Sequence, residues 1–87
     1  MYSLEVKPHA DKIFKKMAKR DRARLEQINK KILEIRENPY HYKPLRAPMQ
    51  NQREVHFGSF VLTYSINEIK KLVTIEDYDH HDKIFVK

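Results

Sequence analysis

From Phe60 to Ile66 the chain alternates. Phe60, Leu62, Tyr64 and Ile66 are large and apolar, and Val61, Thr63 and Ser65 between them are small and mixed. Side chains on a strand point to opposite faces in turn, so this run predicts a strand with one strongly apolar face. It lies in the middle of a stretch, 53 to 79, rich in Tyr, Phe, Val, Thr and Ile, which reads as a β-meander: REVHF, a Gly58-Ser59 turn, FVLTYSI, a NEIK turn and KLVTIEDYD. A sheet with an apolar face needs a cover. Ahead of it, Tyr2, Leu4 and Val6 alternate with Ser3, Glu5 and Lys7, which predicts a short strand over 2–6 that joins the sheet. Ala10, Ile13, Phe14 and Met17 then fall at i, i+3, i+4 and i+7, the stripe of an amphipathic helix over 9–19, with Pro8 suited to its first turn. Asp21 can cap a second helix carrying Leu25, Ile28, Ile32 and Ile35, and Asn38-Pro39 ends it. The expected fold class is α+β. An N-terminal strand and a helical hairpin pack on a curved, mainly antiparallel sheet with a C-terminal meander, in one domain spanning 1–87.

Residues 38–52, NPYHYKPLRAPMQNQ, hold three prolines and no period, and read as a loop. Two readings of its aromatic and basic residues stay open. Tyr40, His41, Tyr42, Lys43 and Arg46 could form a rim that stacks on bases and meets phosphates, or Tyr40, Tyr42 and Leu45 could pin the loop over the end of the hairpin.

Composition narrows the chemistry. There is no cysteine, which excludes disulfides, thiolate metal sites and a thiol nucleophile. No apolar run approaches the roughly 20 residues of a membrane span, and the N-terminus lacks the apolar core of a signal peptide, so the expected location is the cytoplasm. The formal net charge is +6, and the surplus lies before the sheet: residues 1–40 hold 11 basic and 6 acidic groups, whereas residues 61–87 hold 4 and 5. Such a balance favours a polyanionic partner.

The order of strand, helical hairpin, proline-containing loop and meander, with KPLRAP at 43–48, a basic strand from Arg53, Gly58 followed by FVLTY, and DHHDKIF at 79–85, resembles the RelE/ParE superfamily of toxin–antitoxin toxins. The resemblance implies a toxin that inhibits translation by ribosome-dependent mRNA cleavage without a metal or other cofactor. It also implies a cognate RelB-like antitoxin, acidic and helical, bound in a hetero-oligomer with the toxin. Matched residue by residue, Arg46 and Arg53 become candidates for phosphate binding and transition-state stabilisation. His81 becomes the candidate general acid, since an ordinary imidazole titrates near neutrality. Lys43, His56, Lys83 and Phe85 become candidate RNA contacts, with Lys87 beside them. The chain departs from the superfamily pattern at Val61, where an arginine is usual, at Phe85, where several members have tyrosine, and at Asp79, where some have a second tail arginine. Two other functions fit the same outline: a ParE-like toxin that inhibits DNA gyrase without chemistry of its own, and a basic nucleic-acid-binding module. The pair His80-His81 between Asp79 and Asp82 raises a metal site. Successive residues point in different directions, however, so no metal is expected there. His9 and His41 are expected to be solvent-exposed.

Overall fold

The apolar spacing of the first forty residues does what it dictates. The computed structural model describes residues 1–49 and 51–85, with the backbone alone at Phe85. In it, α1 (Pro8–Arg20) and α2 (Arg22–Glu37) are separated only by Asp21. That residue serves both helices: its N–H donates to the Met17 carbonyl at 2.8 Å, and its carboxylate accepts the Arg24 N–H at 3.2 Å. Each satisfies a backbone group that a helix end leaves open. Asn38 closes α2 by donating its N–H to the Glu34 carbonyl at 3.0 Å, and Pro39 follows.

The strands are β1 (Ser3–Val6), β2 (Gln52–Phe57), β3 (Phe60–Asn67) and β4 (Leu72–His80), in the order β1-β4-β3-β2. β1 runs parallel to β4 and the other pairs are antiparallel. Gly58 makes the two-residue turn between β2 and β3 with φ +61°, a conformation in which a side chain is strained. A bulge between Thr63 and Tyr64 places Glu76 out of register, where Ser65 Oγ donates to its carboxylate at 2.7 Å.

The hairpin lies on the face that carries Leu62, Tyr64, Val73, Ile75 and Tyr78, and contributes Ala10, Phe14, Ile28, Ile32 and Ile35 to a common core. Ile28 and Ile35 are completely buried, each stabilising the fold by about 1.5–3 kcal/mol. The opposite face differs from expectation. Val61 and Thr63 are as buried as their neighbours, because the tail forms α3 (His81–Phe85), which packs on β3 and β4 and buries Ile84. Leu45 of the loop is buried as well. The sheet therefore has the hairpin on one side and a thin layer of loop and α3 on the other. The candidate residues Lys43, Arg46 and His56 lie along that second side.

Candidate functional site

Alternation along β2 sends Arg53, Val55 and Phe57 to the hairpin side and Gln52, Glu54 and His56 to the other. Arg53 thus faces away from Glu54 and His56. Its guanidinium donates to the Tyr42 carbonyl at 2.6 Å and the Tyr40 carbonyl at 3.4 Å, and lies 5.2 Å from the centre of the Tyr40 ring. Nη1 and the flat face of the guanidinium hold the loop. These contacts set Arg53 on the side of the sheet away from Glu54 and His56, the candidate for phosphate binding thus lying apart from Arg46. The tyrosines follow the pinning reading: the hydroxyls of Tyr40 and Tyr2 donate to Glu68 at 2.5 and 2.6 Å, and the Lys71 ammonium pairs with the same carboxylate. Lys71 foremost, then the two hydroxyls, hold the Glu68 carboxyl down at about 2. Beneath them the Tyr64 hydroxyl donates to the Pro39 carbonyl at 2.7 Å, and burial pushes that phenol up to about 12.

The anchored loop then runs beside the outer edge of β2. Leu45 N–H donates to the Gln52 carbonyl at 2.8 Å, Glu54 N–H donates to the Lys43 carbonyl at 3.3 Å, and Pro44 bridges to Arg53. This pairing brings Lys43 and Arg46 to the side of the sheet that bears Glu54. A hollow of about 470 Å³ is lined by Lys43, Leu45, Arg46, Met49 and Glu54. A neighbouring one of about 290 Å³ is lined by Lys31, Tyr42, Lys43, Glu54 and His56. Lys43 and Glu54 form the wall shared by both. His56 Nε2 lies 3.2 Å from Glu54 Oε1. The other carboxylate oxygen of Glu54 is buried without a hydrogen-bond partner among the described residues, as are Thr63 Oγ1 and Gln52 Oε1. Thr63 stands directly across the strand pair from Glu54.

Register places the tail relative to this group. His56 is opposite Val61 and Val61 is opposite Asp79, so the three form one row across the sheet. At the usual strand spacing, His56 and Asp79 have Cα atoms about 9–10 Å apart. His81 follows two residues later, its N–H donating to the Ser59 carbonyl at 2.9 Å in the β2–β3 turn. His56 and His81 thus belong to the same end of the sheet. Arg46, Lys43 and His56 cluster around Glu54, His81 lies beyond the end of the His56 row, and Lys83 is exposed on α3. The Phe85 side chain and Lys87 lie outside the described residues. Nor is the region uniformly basic, as expected. It carries Glu54, Glu76, Asp77 and Asp79, with Lys7 3.5 Å from Glu76 and His9 3.3 Å from Asp77. His9, read as a solvent-facing residue, is exposed but has this partner.

Glu54 was invisible in sequence as a functional candidate. The signal that could have found it is the period of β2, which places it between Gln52 and His56 on the face opposite Val55. The histidine pair does not diverge as expected. Donor atoms of His80, His81 and Asp82 all lie within 4.8 Å of one another. The argument that they diverge assumed a continuing strand or helix. The chain changes from β4 to α3 between 80 and 81, and neither alternation applies.

Residues 3–85 match the family described as the ParE toxin of the type II toxin–antitoxin system parDE. This chain belongs to the RelE/ParE superfamily of toxins. A Methanocaldococcus jannaschii protein named as a candidate toxin, RelE4, is 47% identical to this RelE/ParE toxin over 88 residues, covering 100% of this chain and 94% of its own. An uncharacterized Methanosarcina mazei protein is 49% identical over 86 residues, covering 98% of this chain and 100% of its own. Among solved structures, the intact E. coli RelBE toxin–antitoxin complex matches with a TM-score of 0.79 at 22% identity, over 92% of this chain and 96% of that one, a likeness of fold. No helix of the toxin's described residues is long and apolar enough to cross a membrane.

Proposed function

We propose that this RelE/ParE toxin inhibits translation by cleaving mRNA on the ribosome, and that an acidic, helical, RelB-like antitoxin neutralises it in a hetero-oligomer. The observation that carries the reading is the gathering of Lys43, Arg46 and the Glu54–His56 pair around adjoining hollows, with His81 at the same end of the sheet. A protein that acts by binding alone has no need of an imidazole held by a largely buried carboxylate. RNA can be cut without a metal if its 2′-hydroxyl loses a proton and attacks the adjacent phosphorus while the 5′-oxygen leaves with a proton. In the proposed step, His56 gives its Nε2–H to Glu54 and keeps the Nδ1 lone pair to accept the 2′-hydroxyl proton. The 2′-oxygen–phosphorus bond forms, the phosphorus–5′-oxygen bond breaks, and a protonated His81 supplies the proton to the departing oxygen. Arg46 and Lys43 stabilise the charge that builds on the phosphorane. Glu54 is a positioning residue, and Lys83 and Phe85 are further RNA contacts from the tail.

The test is mRNA cleavage in programmed ribosomes. His56→Ala, His81→Ala and Arg46→Ala are each expected to slow cleavage by about 10²-fold or more. Unchanged cleavage in both histidine variants overturns the assignment. A second reading, inhibition of DNA gyrase, is favoured by the ParE description of the matching family and by the burial of Val61 where an arginine is usual. One fold serves both activities. A supercoiling assay run beside the ribosome assay decides between them.

A further inference from the structure

At the β4–α3 junction three metal-ligating side chains converge. His81 Nδ1 lies 3.0 Å from Asp82 Oδ1, and His80 Nδ1 lies 3.6 Å from Asp82 Oδ2, so one carboxylate faces both imidazoles. The donor atoms of all three residues fall within 4.8 Å of one another. Ligands about 2.0–2.2 Å from one tetrahedral ion stand roughly 3.3–3.6 Å apart, so collapse onto a metal needs shifts of about 1 Å or less. The side chains can make such shifts, being 42%, 53% and 74% exposed for His80, His81 and Asp82. Their backbone, by contrast, is held. The His81 N–H is bonded to the Ser59 carbonyl, the His80 N–H donates to Asp79 Oδ1 at 2.7 Å, and the His80 ring meets Phe60 edge-on with centroids 5.6 Å apart.

We infer that His80, His81 and Asp82 form a binding site for a divalent transition metal of the zinc, nickel or copper class. Two imidazoles and one carboxylate suit these ions, whereas the hard ions magnesium and calcium prefer all-oxygen shells. Three protein ligands leave at least one coordination position for water. Binding through His80 Nδ1 gives up its 3.3 Å contact with the Asp82 N–H, a long hydrogen bond at the surface that water can replace. Metal binding stands apart from the proposed ribonuclease reading. One consequence rests on that reading: a metal on His81 occupies a nitrogen of the residue assigned to protonate the leaving oxygen, so the loaded toxin is silenced at its acid.

The test is titration of the full-length, tag-free protein with ZnCl2 by isothermal calorimetry, with thermal unfolding to confirm that each variant is folded. One equivalent is expected to bind the wild type. His80→Ala and Asp82→Asn are expected to weaken binding about 10–100-fold or more, and His9→Ala and His41→Ala to leave it unchanged. No saturable binding to the wild type, equal binding by all five proteins, or loss confined to the His9 or His41 variant overturns the site. Calorimetry involves no RNA, so failure of the metal site and failure of the cleavage mechanism are read separately. If both hold, zinc slows cleavage by the wild type and has at least about tenfold less effect on His80→Ala at the same concentration.

Discussion

Arg53→Ala separates a loop clamp from a catalytic cation, because the two roles predict opposite pairs of results. The clamp consists of one short charge-assisted hydrogen bond to the Tyr42 carbonyl, a long one to the Tyr40 carbonyl, and the guanidinium over the Tyr40 ring. A hydrogen bond to a charged group stabilises by about 1.5–3 kcal/mol. A partly exposed cation–π contact adds about 0.5–1 kcal/mol. The 3.4 Å contact adds little, and water can reach the half-exposed site to replace part of what is lost. A net loss of about 2 kcal/mol follows, which for a domain of this length corresponds to a fall in Tm of about 8–16 °C. Arg53→Lys keeps the charge but loses the fork and the flat face, and is expected to recover less than half of that loss. The assay is thermal unfolding by circular dichroism beside ribosome-dependent cleavage, measured well below the lowered Tm. The expected outcome is a large drop in Tm with cleavage near that of the wild type, whereas Arg46→Ala gives the reverse. An unchanged Tm in Arg53→Ala together with cleavage lost about 10²-fold would refute the clamp and return Arg53 to the phosphate.

Two further outcomes follow from the same corner of the molecule. Tyr64→Phe removes the buried donor of the Pro39 carbonyl and is expected to cost about 1–3 kcal/mol, read as a lower urea midpoint at constant m-value; an unmoved midpoint removes the hydroxyl from the account. Glu68 has a folded-state carboxyl near 2 against an ordinary value of 4.5, so its stabilising effect is fully present above about pH 4.5 and disappears as pH falls through about 2. The Tm difference between wild type and Glu68→Gln should therefore be greatest above pH 4.5 and close towards pH 2, and parallel Tm–pH curves for the two proteins would contradict it.

Elements with a period were legible in the sequence. The alternation of Phe60 to Ile66 and the three-and-four spacing of Leu25, Ile28, Ile32 and Ile35 each constrain many residues at once, and the structure places β3 and α2 where those patterns do. α3 is five residues long, too short to display a helical period, and so the cover over Val61 and Thr63 was not visible. The same gap hid the convergence of His80 with Asp82, since the direction of a side chain at a strand-to-helix junction depends on where the junction falls. The side that Arg53 takes was hidden for a different reason. Its resemblance to a basic strand position concerns residue type, whereas its face is set by parity with Val55, and that parity sends it to the hairpin. Applied to β2, the same rule places Glu54 and His56 on the side of the proposed site.

The departure at Val61 changes how the proposed site must be built. Val61 is completely buried in the row between His56 and Asp79, so the middle strand supplies an uncharged floor. A cation at this completely buried position would have to be desolvated, at a cost of several kcal/mol unless paired. In the proposed site, charge for a phosphate has to come from the rim instead, and the loop offers it: pairing of 43–45 with the outer edge of β2 fixes Lys43 and Arg46 beside the floor, where both are exposed. That arrangement depends on the loop staying in place. The Arg53 clamp and the Tyr2–Glu68–Tyr40 contacts hold the part of the loop before Lys43, outside the site, while the pairing of 43–45 with β2 holds the cations, which is why loss of the clamp should appear in stability and leave cleavage near that of the wild type.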